Sequence, residues 1–347
     1  MKYLPLLLIL LSACDNSSDE KKEKPTGLVP DGHELVWQDE FNGSNLDLTK
    51  WNYETGTGVN GDWGTGQLDR ATNRPENVKI QSGIAGADGN CLSIITRKEN
   101  YIDRSYTSGR INTKEKGSWG PGYRIEARIK PAGVNYKGQG FAFWMMPASK
   151  PASVSSIMWP QGGEIDIMEY VGSMPYHNLG SVHYAWQWLN NEYADWNHGM
   201  KGNYYSFAST QVPSVKPEWG GYPVEPGSSS AGSQNFHRYA IEWYTDRMEF
   251  EIDGNVYHIH YFNDGGFSAK DGEDKDQIKT VNGRQIYLSE YSNHFQEWQP
   301  FENPSFIILS GGVGGADSRT YGGAIVPEAV FPCEVYVDWV RVSKRKA

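Results

Sequence analysis

The chain has 347 residues, with 32 Lys and Arg against 42 Asp and Glu, for a formal net charge of -10 at pH 7. The part expected to fold has no Lys/Arg block beyond the short Lys344-Arg345-Lys346 tail, so the basic footprint of a nucleic-acid binder is absent there, which argues against nucleic acid as a partner. Thirteen Trp and 21 Tyr exceed what a core alone recruits, and many stand beside Gly, Asn and Asp; flat rings with a polar edge suit a surface that stacks on sugars.

In chain order, the N-terminus reads as an export signal: Lys2, the apolar run Leu6 to Leu11, then the small residues Ser12-Ala13 before Cys14. The run is too short to span a bilayer as a mature helix. Leu11-Ser12-Ala13-Cys14 resembles a bacterial lipobox. That resemblance implies that residues 1–13 are a signal peptide and that Cys14 becomes the acylated first residue, with several chains giving stable anchoring. An ordinary secretory signal is the alternative. Asp15 to Lys24 has no apolar residue, so 14–32 reads as a lipidated Cys and a flexible linker. Asp19-Glu20 resembles the export signal of surface lipoproteins, so the expected address is the outer membrane, facing outward.

From His33 onward short alternating runs dominate. Glu34–Phe41 and Trp51–Thr55 come first, then a Gly-rich loop, 56–66, that carries Trp63. Asn77–Gln81, Cys91–Arg97, Tyr106–Thr113 and Gly122–Lys130 follow, and Phe141–Met146 is apolar enough for a central strand. Beyond the acidic stretch 162–170, residues 173–180 read as a turn into Ser181–Trp186, and 199–234 as a long loop without a clear period. Arg238–Trp243, Arg247–Ile252, the hairpin turn Asp253-Gly254, Val256–His260, Phe306–Ser310 and Cys333–Val342 complete the set. Many short strands between turn signals predict one all-β domain over 33–345, an antiparallel sandwich or barrel. Trp243 and Trp339 read as core. Cys91 and Cys333 each open a strand; in an oxidising compartment they could pair or remain as small buried apolar residues. No Cys/His cluster has zinc spacing.

The run Gly162-Gly163-Glu164-Ile165-Asp166-Ile167-Met168-Glu169-Tyr170 carries the chemistry. In a regular strand Glu164 and Asp166 share a face and Glu169 points the other way. One extra residue at Ile167-Met168, a β-bulge, brings all three to one face. Acids crowded in this way cannot all ionise together, so at least one holds a proton near neutral pH. Retaining glycosidases need two carboxyl groups about 5 to 5.5 Å apart. With the bulge, Glu164 and Glu169 lie ~13 Å apart along the strand, so their long arms must converge. Asp166 stands between them, placed to hold one carboxylate in orientation.

The hexapeptide Glu164–Glu169 resembles the bulged catalytic signature of glycoside hydrolase family 16, which includes laminarinases, other endo-β-glucanases, agarases and carrageenases. Trp37–Phe41, Tyr106–Ile111, Tyr123–Lys130, Phe143–Met145, Trp159-Pro160 and Val337–Val342 resemble the family's other blocks, in order. The resemblance implies a jelly-roll sandwich of two antiparallel sheets with a concave groove, and hydrolysis with retention at internal linkages of a β-1,3- or mixed-linkage β-1,3/1,4-glucan. An endo-hydrolase of a β-linked galactan, or a non-catalytic lectin-like sandwich, is the alternative. It also implies that Glu164 is the nucleophile, Glu169 the acid/base and Asp166 the carboxylate that tunes the nucleophile, with His183 close by. Trp144 and Trp159 would line the donor side and Arg110 would contact sugar. Read from the residues alone, Trp144 suits core as well, His183 could be structural and Arg110 could simply pair with a carboxylate. The Trp63 loop departs from the Gly-Trp-Gly-Asn-plus-Glu pattern of laminarinases: Gly61-Asp62-Trp63-Gly64-Thr65-Gly66-Gln67 has neither that Asn nor that Glu. No cofactor is expected for the reaction. Some members hold a structural calcium at the position of Asp338, which sets that expectation here.

Overall fold

The computed structural model describes residues 28–149, 159–160, 162–184, 188–189, 192–193, 199–207, 235–262, 277–281, 284–290, 301–316, 320 and 322–346. Two large sheets form a sandwich. The outer sheet runs β18 (Gln277–Val281), β19 (Arg284–Glu290), β17 (Asn255–Tyr261), β16 (Arg247–Ile252), β15 (His237–Trp243), β8 (Tyr123–Lys130), β21 (Cys333–Arg345), β5 (Cys91–Tyr101), β6 (Arg104–Ser108), β3 (Asp69–Ala71). β1 (His33–Asp39) also pairs with β21, and β4 (Val78–Gln81) with β5. The inner sheet runs β14 (Gly199–Ser206), β11 (His177–Tyr184), β10 (Glu164–Val171), β9 (Gln139–Pro147), β20 (Ser305–Val313), β7 (Arg110–Asn112), β2 (Asn52–Tyr53). A small hairpin, β12 (Trp188–Leu189) with β13 (Glu192–Tyr193), stands apart. Val59–Gly61 is a single 3-10 turn.

Strand alternation builds the core. On β9, Phe141, Phe143 and Met145 are buried between the sheets, while Ala142 and Trp144 take the other face. Ile125, Ala127 and Ile129 on β8 and Ile307 and Leu309 on β20 do the same from their strands. Each large side chain so buried contributes ~1.5 to 3 kcal/mol, so the pattern fixes which face of β10 is left for chemistry. The hairpin after β16 uses Asp253 and Gly254 at φ 52° and 79°, the left-handed pair of a type I′ turn.

Four expectations change. Tyr106–Thr113, read as one strand, is two: β6 belongs to the outer sheet and β7 to the inner. The switch falls at Gly109, where a Cβ would sit 2.5 Å from the Asn77 carbonyl oxygen, so only glycine lets the chain pass. Residues 173–180 hold the start of β11, and 199–206 form β14 rather than loop; β14 pairs with β11 along its whole length. Gly- and Tyr-rich sequence hid that strand, because a strand with little apolar alternation shows no period. Trp339 is buried but is not part of the apolar core: its ring lies beneath the Arg341 guanidinium, 3.9 Å from the ring centre. Trp243 is fully buried in the core. Cys91 and Cys333 are free and buried. Although β5 and β21 are neighbours, Cys333 stands opposite Thr96, five residues along the strand from Cys91, too far for a disulfide.

Candidate active site

One irregularity places the acids. Between β10 and β11, Glu164 faces His183 and Glu169 faces Leu179, so five steps on β10 (164 to 169) match four on β11 (183 to 179). Between β10 and β9, Asp166 faces Trp144 and Glu169 faces Ala142, three steps against two. The extra residue lies at Ile167-Met168, whose side chains are both buried in the core. The bulge thus turns Glu169 onto the face shared by Glu164, Asp166 and Trp144, as the residue spacing requires.

Glu164 and Glu169 are half-buried, whereas Asp166 and His183 are buried. Asp166 Oδ2 accepts a hydrogen bond from Ser181 Oγ at 2.8 Å and lies 3.2 Å from His183 Nε2. The Trp159 indole N–H donates to Glu164 Oε2 at 2.6 Å, and the Trp159 ring centre is 5.8 Å from that of His183. Sequence reasoning missed Ser181. Its signal was register: two residues before His183, it shares that face and stands opposite Asp166.

The charges sort the two glutamates. Burial pushes Glu164 up to about 8, the Asp166 charge adds to this, and His183 and the Trp159 N–H oppose it. Burial pushes Glu169 well above the carboxylate range, again with Asp166 adding and His183 opposing. Burial alone would lower His183, but its hydrogen bond to Asp166 and the charges of the three acids hold it up to about 9. Glu164 has a donor on its own oxygen and ionises first, while Glu169 retains its proton. One carboxylate and one carboxylic acid then share a face, the pair that nucleophilic displacement with acid catalysis requires. Glu164, Asp166 and His183 also bring donor atoms within 4.8 Å of one another. With an imidazolium and an indole N–H already on those oxygens, the set suits proton transfer better than metal binding.

A second cluster lies three strands away, on β7. The Arg110 guanidinium lies over the Trp63 ring at 4.4 Å and over the Trp144 ring at 4.9 Å. Glu54 Oε2 accepts from Arg110 Nε at 2.7 Å and from Asn112 Nδ2 at 3.2 Å. Trp144 Nε1 donates to Ser310 Oγ at 3.0 Å, which settles this residue on the acid-bearing face rather than in the core. The loop holds Trp63 by leaving room at Gly58 (φ 64°), where a Cβ would fall 2.2 Å from the indole. The structure therefore brings Glu164, Asp166, Glu169, His183 and Trp159 into one cluster, and Trp144, Arg110 and Trp63 into another beside it on the same face.

Asp338 is elsewhere, on β21. Its Oδ2 pairs with Arg128 Nη1, and both its oxygens lie within hydrogen-bond distance of the Asp88 backbone N–H, at 3.0 and 3.2 Å. Those are the donors of an ion pair and do not make up a calcium ligand set. Cys14 lies outside the described residues.

A family model described as Glycosyl hydrolases family 16 matches residues 66–268. The Beta-glucanase of Rhodothermus marinus is 31% identical over 347 residues, 99% of this chain and 95% of that protein. Glucan endo-1,3-beta-glucosidase A1 of Niallia circulans is 30% identical over 331 residues, 93% of this chain; the match spans only 39% of that longer protein. The solved laminarinase of Rhodothermus marinus has a TM-score of 0.62 at 29% identity, covering 90% of this chain and 97% of that one. With the bulged acidic strand in its place on a jelly-roll sandwich and the family model matching more than half of its length, the chain belongs to glycosyl hydrolases family 16.

Proposed function

We propose that the protein is a retaining endo-β-glycosidase that hydrolyses internal linkages of a β-1,3- or mixed-linkage β-1,3/1,4-glucan. The observation that carries this reading is the bulge that sets Glu164 and Glu169 on one face with Asp166 between them. Long alignments with relatives named for glucan hydrolysis support the substrate class.

The Glu164 carboxylate attacks the anomeric carbon. As that bond forms, the glycosidic C–O bond breaks, and Glu169 gives its proton to the departing oxygen. Glu169, now a carboxylate, takes a proton from water, whose oxygen attacks the anomeric carbon and releases Glu164. Asp166 and its partners His183 and Ser181 keep negative charge beside Glu164 without letting Asp166 swing away. Trp159 holds Glu164 by its N–H and offers half of its indole to the sugar. A lectin has no use for two glutamates tuned to different protonation states.

Reducing-sugar release from laminarin, mixed-linkage β-glucan, agarose and carrageenan tests the substrate. The reading expects glucan cleavage, abolished in Glu164→Ser and Glu169→Ala. Activity on galactans alone would overturn the glucan assignment. For location, the proposal is export and attachment to the outer membrane through acylated Cys14. Cys14→Ala should move the protein from the membrane fraction to the soluble one, and an unchanged distribution would refute the anchor.

A further inference from the structure

Arg110 is the cation of the second cluster, and its charge is already met. Glu54 takes its Nε at 2.7 Å, and the guanidinium lies over the rings of two indoles, so it is held from three sides. Among the described residues, neither Arg110 Nη nitrogen has a side-chain hydrogen-bond partner, and Glu54 Oε2 takes both of the donors that reach that carboxylate. Glu54 Oε1 is thus left as an acceptor beside four N–H donors. The side chains are only partly covered, 13% exposed for Arg110 and 35% for Glu54. They share the face of Trp144, which pairs with Asp166. Strands β9, β20 and β7 follow β10 in order, so the cluster lies ~14 Å across the sheet from the acids, within reach of the same polysaccharide chain.

We infer that Glu54 is a specificity-determining residue: it orients Arg110 and keeps this remote subsite electrically neutral, so that the subsite takes an uncharged sugar and rejects a sulfated one. The inference rests on the endo-glycosidase reading but not on the sugar being glucose. Donors and an acceptor side by side match the hydroxyl pair of a neutral ring. An arginine without its carboxylate would instead be a sulfate site, because guanidinium forks bind such anions in pairs. A sulfate brought against Glu54 Oε1 meets like charge, and that repulsion supplies the discrimination.

The test compares wild type with Glu54→Gln, which preserves shape and an acceptor for Arg110 Nε but removes the charge. Glu54→Ala is a second variant, and melting curves check the fold of both. Hydrolysis of neutral laminarin and agarose and of sulfated carrageenan gives KM and kcat. Binding to the same polymers is measured in a Glu164→Ser background. The inference expects KM on the neutral substrate to rise about fivefold in Glu54→Gln with kcat within about twofold, since charge-assisted bonds are roughly twice as strong as neutral ones. It also expects carrageenan binding to strengthen relative to the neutral polymer. Unchanged KM and unchanged neutral-to-sulfated preference, or a fall in kcat at constant KM, would overturn it. If wild type cleaves agarose and not laminarin, the glucan reading falls while Glu54 is judged on agarose. If wild type prefers carrageenan, both fall.

Discussion

Trp159→Phe isolates one bond in the catalytic cluster. The substitution retains a ring over His183 and removes the indole N–H that donates to Glu164 Oε2 at 2.6 Å. A hydrogen bond to an ionised group contributes ~1.5 to 3 kcal/mol. Trp159 is 50% exposed, so water replaces part of that loss, and ~1.4 kcal/mol, or about one pKa unit, is a fair expectation. The sign depends on which form the bond favours: the N–H stabilises the carboxylate, so removing it raises Glu164 further above its ordinary value. The nucleophile must be ionised, so the acidic limb of kcat/KM against pH should move up by about one unit. Rates well below that limb should fall about tenfold, with rates on its alkaline side nearly unchanged. Reducing-sugar release from laminarin across pH 4 to 9 reads this directly. A loss equal at every pH, with the limb unmoved, would show that Trp159 acts only as a sugar platform and would refute the role given to its N–H.

Glu169→Gln should be more stable than wild type in mild alkali. Burial holds the folded-state pKa of Glu169 above its unfolded value, so ionisation costs stability as pH rises from ~4.5, and the amide avoids that cost. Melting curves should show the variant higher by a few degrees at pH 8, at roughly 2 to 4 °C per kcal/mol, with the gap closing near pH 4. His183 has the opposite linkage: its raised folded pKa gives stability that is full below ~6.5 and is lost as pH rises through about 9, so His183→Asn should narrow its deficit against wild type over that window. Gly109→Ala places a methyl 2.5 Å from the Asn77 carbonyl oxygen and should destabilise the sandwich by ~1 to 3 kcal/mol; a melting point equal to wild type would show that the strand switch does not need glycine.

Much of this site is legible in the residues alone, for a particular reason. The side-chain period of a strand is two, so three acids at 164, 166 and 169 can share a face only through an insertion, and β10 contains that insertion. Apolar runs such as Phe141–Met146 are equally plain, because alternation against the core leaves a strong pattern. The hidden features are set by contacts distant along the chain. Gly109 looks like an ordinary glycine in a strand until Asn77 is seen beneath it. Ser181 and Glu54 carry no motif, and their roles appear only when register sets one opposite Asp166 and the pairing of β2 with β7 sets the other opposite Arg110. Likewise β14 is a strand because β11 offers it a full edge, and its own composition favours a loop. Trp339 alternates like a core residue, but the irregularity in β21 between Val337 and Trp339 shifts the phase of the strand beyond it.

The central claim is that Glu164 and Glu169 act on opposite sides of two displacements at one carbon, and the configuration of the first product tests it most directly. Proton NMR of early laminarin hydrolysis, before mutarotation, should show the β-anomer at the new reducing end, with no product from Glu164→Ser. An α-anomer formed first, or sugar release that survives Glu164→Ser, would contradict the double-displacement mechanism.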